Sequence, residues 1–140
     1  TPDCEVFDVG TGSGILAMAA ALLGAKTIHA VDIDEKAVEV AQENIAQNGI
    51  SSRITVNQGN LLGGTPGQAD LIIANIIADI IILVLPEVAV KLRQNGRFLA
   101  SGIIEERLPD VEKAAGENGF TFLDVKRKAG WCAVTMGKEG

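Results

Sequence analysis

Short β-branched runs alternate with helix-spaced apolar positions along nearly the whole chain. Residues 4–9 form an apolar-rich run that ends in a glycine cluster, and residues 15–23 read as a small-residue helix stopped by Gly24. Residues 26–33 are a second such run. Asp34 then stands where a helix N-cap belongs, ahead of Val38, Ala41 and Ile45 at helical spacing and a stop at Asn48-Gly49. Ile54, Val56 and the turn at Gly59 predict a third strand, residues 63–67 a loop rich in Gly, Thr and Pro, and residues 69–74 an unbroken buried strand. Helical spacing resumes over 77–92, with Pro86 as the first residue of a restarted turn, and Gln94-Asn95-Gly96 closes it before a strand at 97–101. A helix over 105–118, ending at Gly119, and a hairpin-like pair of strands at 120–125 and 131–136 around Ala129-Gly130 complete the pattern.

Strands that alternate with helices predict a mostly parallel sheet covered on both faces. The final close pair inserts one antiparallel strand near the C-terminus, so the expected fold is α/β and Rossmann-like, with seven strands. At 140 residues, without repeat, low-complexity tract or linker, the chain reads as one domain over 1–140. Its apolar fraction of 47% and charged fraction of 21% are ordinary for a globular protein, which argues against disorder or a fibre. A net charge of −6 argues against a phosphate-tracking surface, and the one tight basic cluster, Lys126-Arg127-Lys128, reads as a solvated strand end. The most apolar stretch, 71–90, is interrupted by Asn75, Asp79, Pro86 and Glu87 before it reaches the ~20 apolar residues of a membrane span. Cys4 and Cys132 lie far apart with no metal-ligand spacing, so a reduced, cytoplasmic setting without a metal is expected. The start at Thr1, directly before a strand and without a leader, reads as an excised domain.

The chemistry gathers at the predicted strand ends. Asp8-Val9-Gly10-Thr11-Gly12-Ser13-Gly14 closes the first strand and opens the first helix, where glycines let main chain approach a ligand and the helix start offers free N–H groups. Dinucleotide enzymes use G-x-G-x-x-G, and Ile15 breaks that pattern. Glycines at 10, 12 and 14 behind Asp8 instead resemble the first motif of class I methyltransferases, in which Asp8 orients either the loop or a ligand amino group. Asp32 ends the second strand, where a carboxylate can accept both hydroxyls of a ribose, and Asp34 caps the next helix. Asn60 can pair with an adenine edge or serve as a turn residue, and Ile33 can pack on the adenine face or in the core. Asn75 ends the fourth strand and is the candidate catalytic group, an amide that holds an acceptor amine. Related amine and amide enzymes place Asn-Pro-Pro-aromatic there. Asn75-Ile76-Ile77-Ala78 lacks the aromatic, which favours a flexible aliphatic amine over a planar base. His29 and Trp131 read as structural, Trp131 as core. No Ser/His/Asp grouping or P-loop is present.

Taken together, the runs 8–17, 31–34, 70–78 and 101–104 resemble the catalytic domain of the ribosomal protein L-eleven methyltransferase family over almost the whole chain. The steps Asn75-Ile76-Ile77-Ala78 and Ser101-Gly102-Ile103-Ile104 are more specific than the glycine loop. Gly130-Trp131-Cys132 resembles the family's ending, where an acidic residue is usual before the Trp. The resemblance implies a class I methyltransferase fold and S-adenosyl-L-methionine as cofactor, with S-adenosyl-L-homocysteine as product. By similarity Gly10, Asp32 and Asn75 match the family's cofactor-contacting positions, and with the reading of the strand ends the residues expected to contact cofactor are Asp8, Gly10, Thr11, Gly12, Gly14, Asp32, Ile33, Asn60 and Asn75. It also implies methylation of lysine ε-amines and an α-amine on a ribosomal large-subunit protein in the cytoplasm, without direct nucleic-acid or membrane contact. Full-length members carry an N-terminal substrate-recognition domain, so these residues alone are expected to bind cofactor weakly and methylate poorly. The alternatives are a cofactor-binding module inactive in isolation, a methyltransferase acting on another amine such as a nucleobase, and a nicotinamide-dependent oxidoreductase.

Overall fold

The computed structural model describes residues 4–138 apart from 13, 51, 61, 63, 64 and 66, so Ser13 and most of the loop expected at 63–67 lie outside the described residues. Seven strands, β1 (Glu5–Val9), β2 (Thr27–Asp32), β3 (Ile54–Gln58), β4 (Ala69–Asn75), β5 (Leu92–Ile104), β6 (Phe120–Lys128) and β7 (Trp131–Lys138), form one sheet in the order β3-β2-β1-β4-β5-β7-β6. Strands β1 to β5 pair in parallel, and β7 enters antiparallel between β5 and β6. The expected α/β fold with one antiparallel strand is the observed one.

Period-two alternation decides which side chain faces which layer. On one face, helices α1 (Ile15–Leu22) and α2 (Glu35–Gln47) bury Ala17, Ala21, Val38, Ala41 and Ile45 against Val6, Ile28, Ala30, Ile54 and Val56. On the other, α3 (Ala78–Lys91) and α4 (Leu108–Glu117) bury Ile81, Val84, Leu85, Leu108 and Val111 in one cluster with Phe7, Val9, Ile72, Phe98, Val134 and Met136. Asp34 caps α2 as expected, its Oδ1 accepting the Lys36 N–H at 3.0 Å.

Three local expectations are revised. Pro86 does not restart a helix. It sits inside the continuous α3 on an exposed face, where it removes one i→i−4 bond without ending the helix. Strand β5 begins at Leu92 rather than 97, because Leu92 pairs with Ala69 and Arg97 with Leu71, leaving residues 93–96 as an irregularity with Asn95 left-handed at φ 68°. Arg93 anchors that irregularity, its guanidinium reaching Asp70 at 2.7 Å and Glu5 at 2.8 Å. The helix expected from 105 opens as a 3-10 turn, Glu105–Arg107, before α4 begins. The β6–β7 connection is the expected one, with Ala129 at φ 52° and Gly130 at φ 84°, the two left-handed residues of a tight hairpin turn. No helix among the described residues is long and apolar enough to cross a membrane.

Chain order places the site. From β1 the chain winds outward through β2 to β3, then returns to β4 on the other side of β1. The carboxyl ends of β1 and β4 are therefore a topological switch point, where successive connections diverge and leave a crevice.

Candidate functional site

The glycine loop is braced from inside. The N–H groups of Gly10 and Thr11 both donate to the Val31 carbonyl, at 2.9 and 3.0 Å, Gly14 donates to Thr11 at 3.0 Å, and Gly12 donates to Asp32 Oδ2 at 3.0 Å. These four donors are consumed within the protein, so the bare, ligand-facing N–H groups expected at Gly10, Thr11, Gly12 and Gly14 are not there. Gly10, Gly12 and Gly14 all have left-handed φ. At Gly14 a Cβ would sit 3.3 Å from the Ala41 Cβ, so this glycine lets α1 start close against α2.

Asp8 lies under the loop, 1% exposed, with Oδ2 accepting the Thr11 hydroxyl at 2.8 Å and Oδ1 without a hydrogen-bond partner. Burial pushes its carboxyl up from 3.8 to about 6. The Thr11 hydroxyl opposes that rise, the charge of Asp32 adds to it, and the Ala17 backbone N–H opposes it. Thr11 is itself buried, so the Asp8–Thr11 pair shapes the loop from beneath rather than lining an opening.

Above the loop lies a crevice of about 320 Å³, within the range of about 300–1,000 Å³ usual for small-molecule sites. Gly10, Asp32, Ile33, Gly59 and Asn60 line it, with Val9, Val31, Ile76, Ile80 and Leu83 supplying apolar walls. Asp32 is its acidic group: Oδ2 holds Gly12 and Oδ1 holds its own turn through the Asp34 N–H at 3.0 Å. A carboxylate has about four acceptor positions, so each oxygen can still accept another donor. Ile33 is 68% exposed, which settles its open alternative against the core. Asn60 is exposed at the crevice rim, its turn fixed by the Gly59 N–H on the Asp32 carbonyl at 3.0 Å.

Of the nine residues expected to contact cofactor, Gly10, Asp32, Ile33 and Asn60 line the crevice, while Asp8, Thr11, Gly12 and Gly14 support it from behind. Asn75 stands beside it. Its amide is exposed at the end of β4, with Oδ1 accepting the Ser101 hydroxyl at 3.2 Å, and the next residue, Ile76, lines the crevice. The walls Ile80 and Leu83 were missed because helical spacing marked 77–92 only as a core helix, and Ile76 was read only as part of the step that follows Asn75. The signal available was the run of large apolar residues around the whole of α3, more than one buried stripe can use.

His29 is structural as expected, edge-on to Phe7 with ring centroids 5.8 Å apart. The core assignment of Trp131 is overturned: it is 53% exposed, because the tight turn delivers it to the open end of β7 opposite Ile104. Among the described residues no cluster of His, Cys, Asp and Glu could hold a metal ion.

Comparison with known proteins identifies this arrangement. The family model described as Ribosomal protein L11 methyltransferase (PrmA) matches residues 1–139. A protein of that name from Desulfitobacterium hafniense is 52% identical over 130 residues, covering 93% of this chain and 41% of the relative. One from Caldanaerobacter subterraneus subsp. tengcongensis is 45% identical over 139 residues, covering 99% of this chain and 44% of the relative. The crystal structure of a ribosomal protein L11 methylase from Lactobacillus delbrueckii subsp. bulgaricus superposes with a TM-score of 0.95 at 39% identity, over 99% of this chain and 71% of that one. The chain thus spans less than half the length of the curated relatives it matches. Sheet order, glycine loop and acidic β2 end are those of a Rossmann-like class I methyltransferase fold, and the match over nearly every residue assigns the chain to the ribosomal protein L11 methyltransferase family.

Proposed function

We propose that residues 1–140 act as the catalytic domain of an S-adenosylmethionine-dependent protein N-methyltransferase that modifies lysine ε-amines and the α-amine of a ribosomal large-subunit protein in the cytoplasm. The observation that carries this reading is the polarity of the glycine loop. The N–H groups of Gly10, Thr11, Gly12 and Gly14 point inward, to Val31, Asp32 and Thr11, while Asp32 at the crevice and Asp8 beneath the loop supply negative charge. Such a site repels a diphosphate and suits a nucleoside that carries an ammonium and a sulfonium. The apolar walls fit an adenine ring, Asp32 has acceptor capacity for a ribose diol, and the partnerless Oδ1 of Asp8 marks a buried negative site behind the loop.

When bound, the cofactor supplies an electrophilic methyl group on sulfur. The chain supplies position. An acceptor ammonium with a pKa near 10.4 must lose a proton at a cost of roughly 4–5 kcal/mol at pH 7. Asn75 Oδ1, held by the Ser101 hydroxyl, offers an acceptor for an amine N–H at the crevice edge, which fixes the lone pair toward the methyl group. No strong base is needed where a neighbouring positive sulfur already disfavours the charged amine.

Calorimetric titration of S-adenosylhomocysteine into the wild-type chain and Asp32→Ala tests the reading. Binding is expected in the first and a loss of about 1.5–3 kcal/mol in the second, the usual worth of a hydrogen bond to a charged group. Equal affinities would remove Asp32 from the site, and tight binding of a nicotinamide dinucleotide would replace the reading altogether.

A further inference from the structure

The turn that carries Asp32 is held from the edge of the sheet. Strand β3 is the outermost strand on that side, and its last residue, Gln58, pairs with Asp32 at the end of β2. Gln58 is exposed, yet its side chain is committed: Nε2 donates to the Ile33 carbonyl at 3.1 Å. The strand beneath it is fixed in turn by α2, where Gln42 Nε2 donates to the Val56 carbonyl at 3.1 Å.

One peptide unit joins the Gln58 bond to the crevice. The Ile33 carbonyl and the Asp34 N–H lie in a single plane, and that N–H donates to Asp32 Oδ1 at 3.0 Å. The peptide is therefore gripped at both ends, by Gln58 on its oxygen and by Asp32 on its nitrogen. The other carboxylate oxygen, Oδ2, accepts the Gly12 N–H at 3.0 Å. Two N–H groups thus fix the plane of the Asp32 carboxylate, one from the glycine loop and one from the peptide that Gln58 orients. The Gly59 N–H on the Asp32 carbonyl, at 3.0 Å, holds the start of the turn, but the two soft dihedrals of Ile33 separate it from the 33–34 peptide. A paired rotation about the Ile33 ψ and the Asp34 φ would turn that peptide without moving its neighbours. Ile33 is 68% exposed, so core packing does little to oppose the rotation, and the Gln58 amide opposes it directly.

We propose that Gln58 is a positioning residue for ribose selection: by holding the 33–34 peptide it keeps the Asp32 carboxylate in the plane that accepts both hydroxyls of the cofactor's ribose. The inference rests on the reading of Asp32 as the ribose acceptor. A carboxylate has about four acceptor positions, and Gly12 and Asp34 each take one, so the others point in fixed directions only while both N–H groups stay in place. Two hydroxyls bonded together need that alignment, whereas a single hydroxyl tolerates its loss. Preorganisation of this kind raises affinity by removing the cost of ordering the carboxylate at binding. Because Gln58 stands at an exposed strand end, its effect falls on ligand selection and leaves the core untouched.

S-adenosylhomocysteine and its 2′-deoxyribose analogue, titrated by calorimetry into the 140-residue chain and into Gln58→Met, Gln58→Glu and Asp32→Ala, test this. Met keeps the length of Gln without a donor, and Glu keeps its shape with acceptors only. Wild type should prefer the ribose ligand by roughly tenfold or more, the usual effect of a hydrogen bond to a charged group, and Asp32→Ala should abolish most of that preference. Each Gln58 variant should narrow the preference by about threefold or more, weakening the ribose ligand more than its analogue while the urea unfolding midpoint stays unchanged. A preference that Asp32→Ala removes and both Gln58 variants retain overturns this proposal and leaves Asp32 in place. Equal weakening of both ligands by the Gln58 variants also overturns it, because Gln58 would then act on the site without acting through the ribose contact. No preference in wild type, or one that survives Asp32→Ala, removes the ribose reading of Asp32 and the role of Gln58 with it. Failure to bind S-adenosylhomocysteine at all removes the cofactor reading of the crevice as well.

Discussion

Asp8 gives this fold an unusual pH signature. The perturbation is Asp8→Asn, compared with wild type by urea unfolding across pH 4 to 8. In the folded chain the Asp8 carboxyl titrates at about 6, and in the unfolded chain at its ordinary value of 3.8. Between those values the native state holds a proton that the unfolded state has released, so wild-type stability falls as pH rises through the window. At about 1.4 kcal/mol per pH unit, the displacement corresponds to on the order of 3 kcal/mol of stability present below pH 4 and absent above pH 6. Asn is neutral throughout. Its carbonyl can accept the Thr11 hydroxyl, and its amide hydrogens occupy the partnerless Oδ1 position, an offset that does not vary with pH. Carboxylates remote from Asp8 titrate in both proteins and cancel. The stability of Asp8→Asn relative to wild type should therefore climb by about 2.4 kcal/mol from pH 4 to pH 7, the part of the displacement that this window spans. Carbon NMR of the Asp8 carboxyl should show its midpoint near 6, moved downward in Asp32→Asn because the Asp32 charge is one of its causes. A difference that stays flat with pH, or falls, would refute the reasoning.

The loop glycines should separate strain from crowding. Gly12→Ala meets no atom within 4 Å and should lose about 1–2 kcal/mol in urea unfolding from its left-handed backbone alone, whereas Gly10→Ala puts a Cβ 2.9 Å from Ile76 Cγ2. Displacing Ile76 moves a crevice wall, so Gly10→Ala should also weaken S-adenosylhomocysteine binding, measured by calorimetry, by more than Gly12→Ala does. Ala129→Gly relieves a left-handed alanine in the β6–β7 turn and should raise the unfolding free energy by up to about 1 kcal/mol; no gain would mean the turn is not strained. Phe98→Ala empties a fully buried position between the sheet and α3 and should cost about 3–5 kcal/mol by the same measurement.

Elements that carry their own punctuation were legible in the chain. Asp34 announces α2 with a side chain that caps it, and Ala129-Gly130 announces a turn through a left-handed pair. Asp32 and Asn75 were placed at strand ends because each follows a β-branched run, and both stand there. What was not legible depends on partners remote in sequence. The start of β5 at Leu92 is decided by pairing with Ala69, which overrides the turn chemistry of Asn95-Gly96. Trp131 looks like a core residue by type, and only the pairing of β7 beside Ile104 brings it to an open end. The inward direction of the loop N–H groups needed the Val31 carbonyl, supplied by another strand.

The site depends most on sheet register. Val9 pairs with Val31 on one side and with Ala74 on the other, so the residues that follow, Gly10, Asp32 and Asn75, leave the sheet at one level. Asp32 pairs with Gln58, which brings Gly59 and Asn60 to the same level. At the crevice the Gly10 and Thr11 N–H groups on the Val31 carbonyl and the Gly59 N–H on the Asp32 carbonyl tie these ends together. The alignment is also set deeper, where Phe7 and Ile72 must face α3 and α4 while Val6 and Ile28 face α1 and α2. A slip of one residue would turn those side chains to the wrong layer, and a slip of two would withdraw a strand end by about 6.5 Å. That distance exceeds a hydrogen bond several times over, so Asp32 could no longer hold Gly12, and the loop would lose the brace that turns its N–H groups away from the ligand. The core alternation of β1, β2 and β4 is thus what makes the crevice acidic and donor-poor, and the choice of a cationic nucleoside over a diphosphate follows from packing far beneath it.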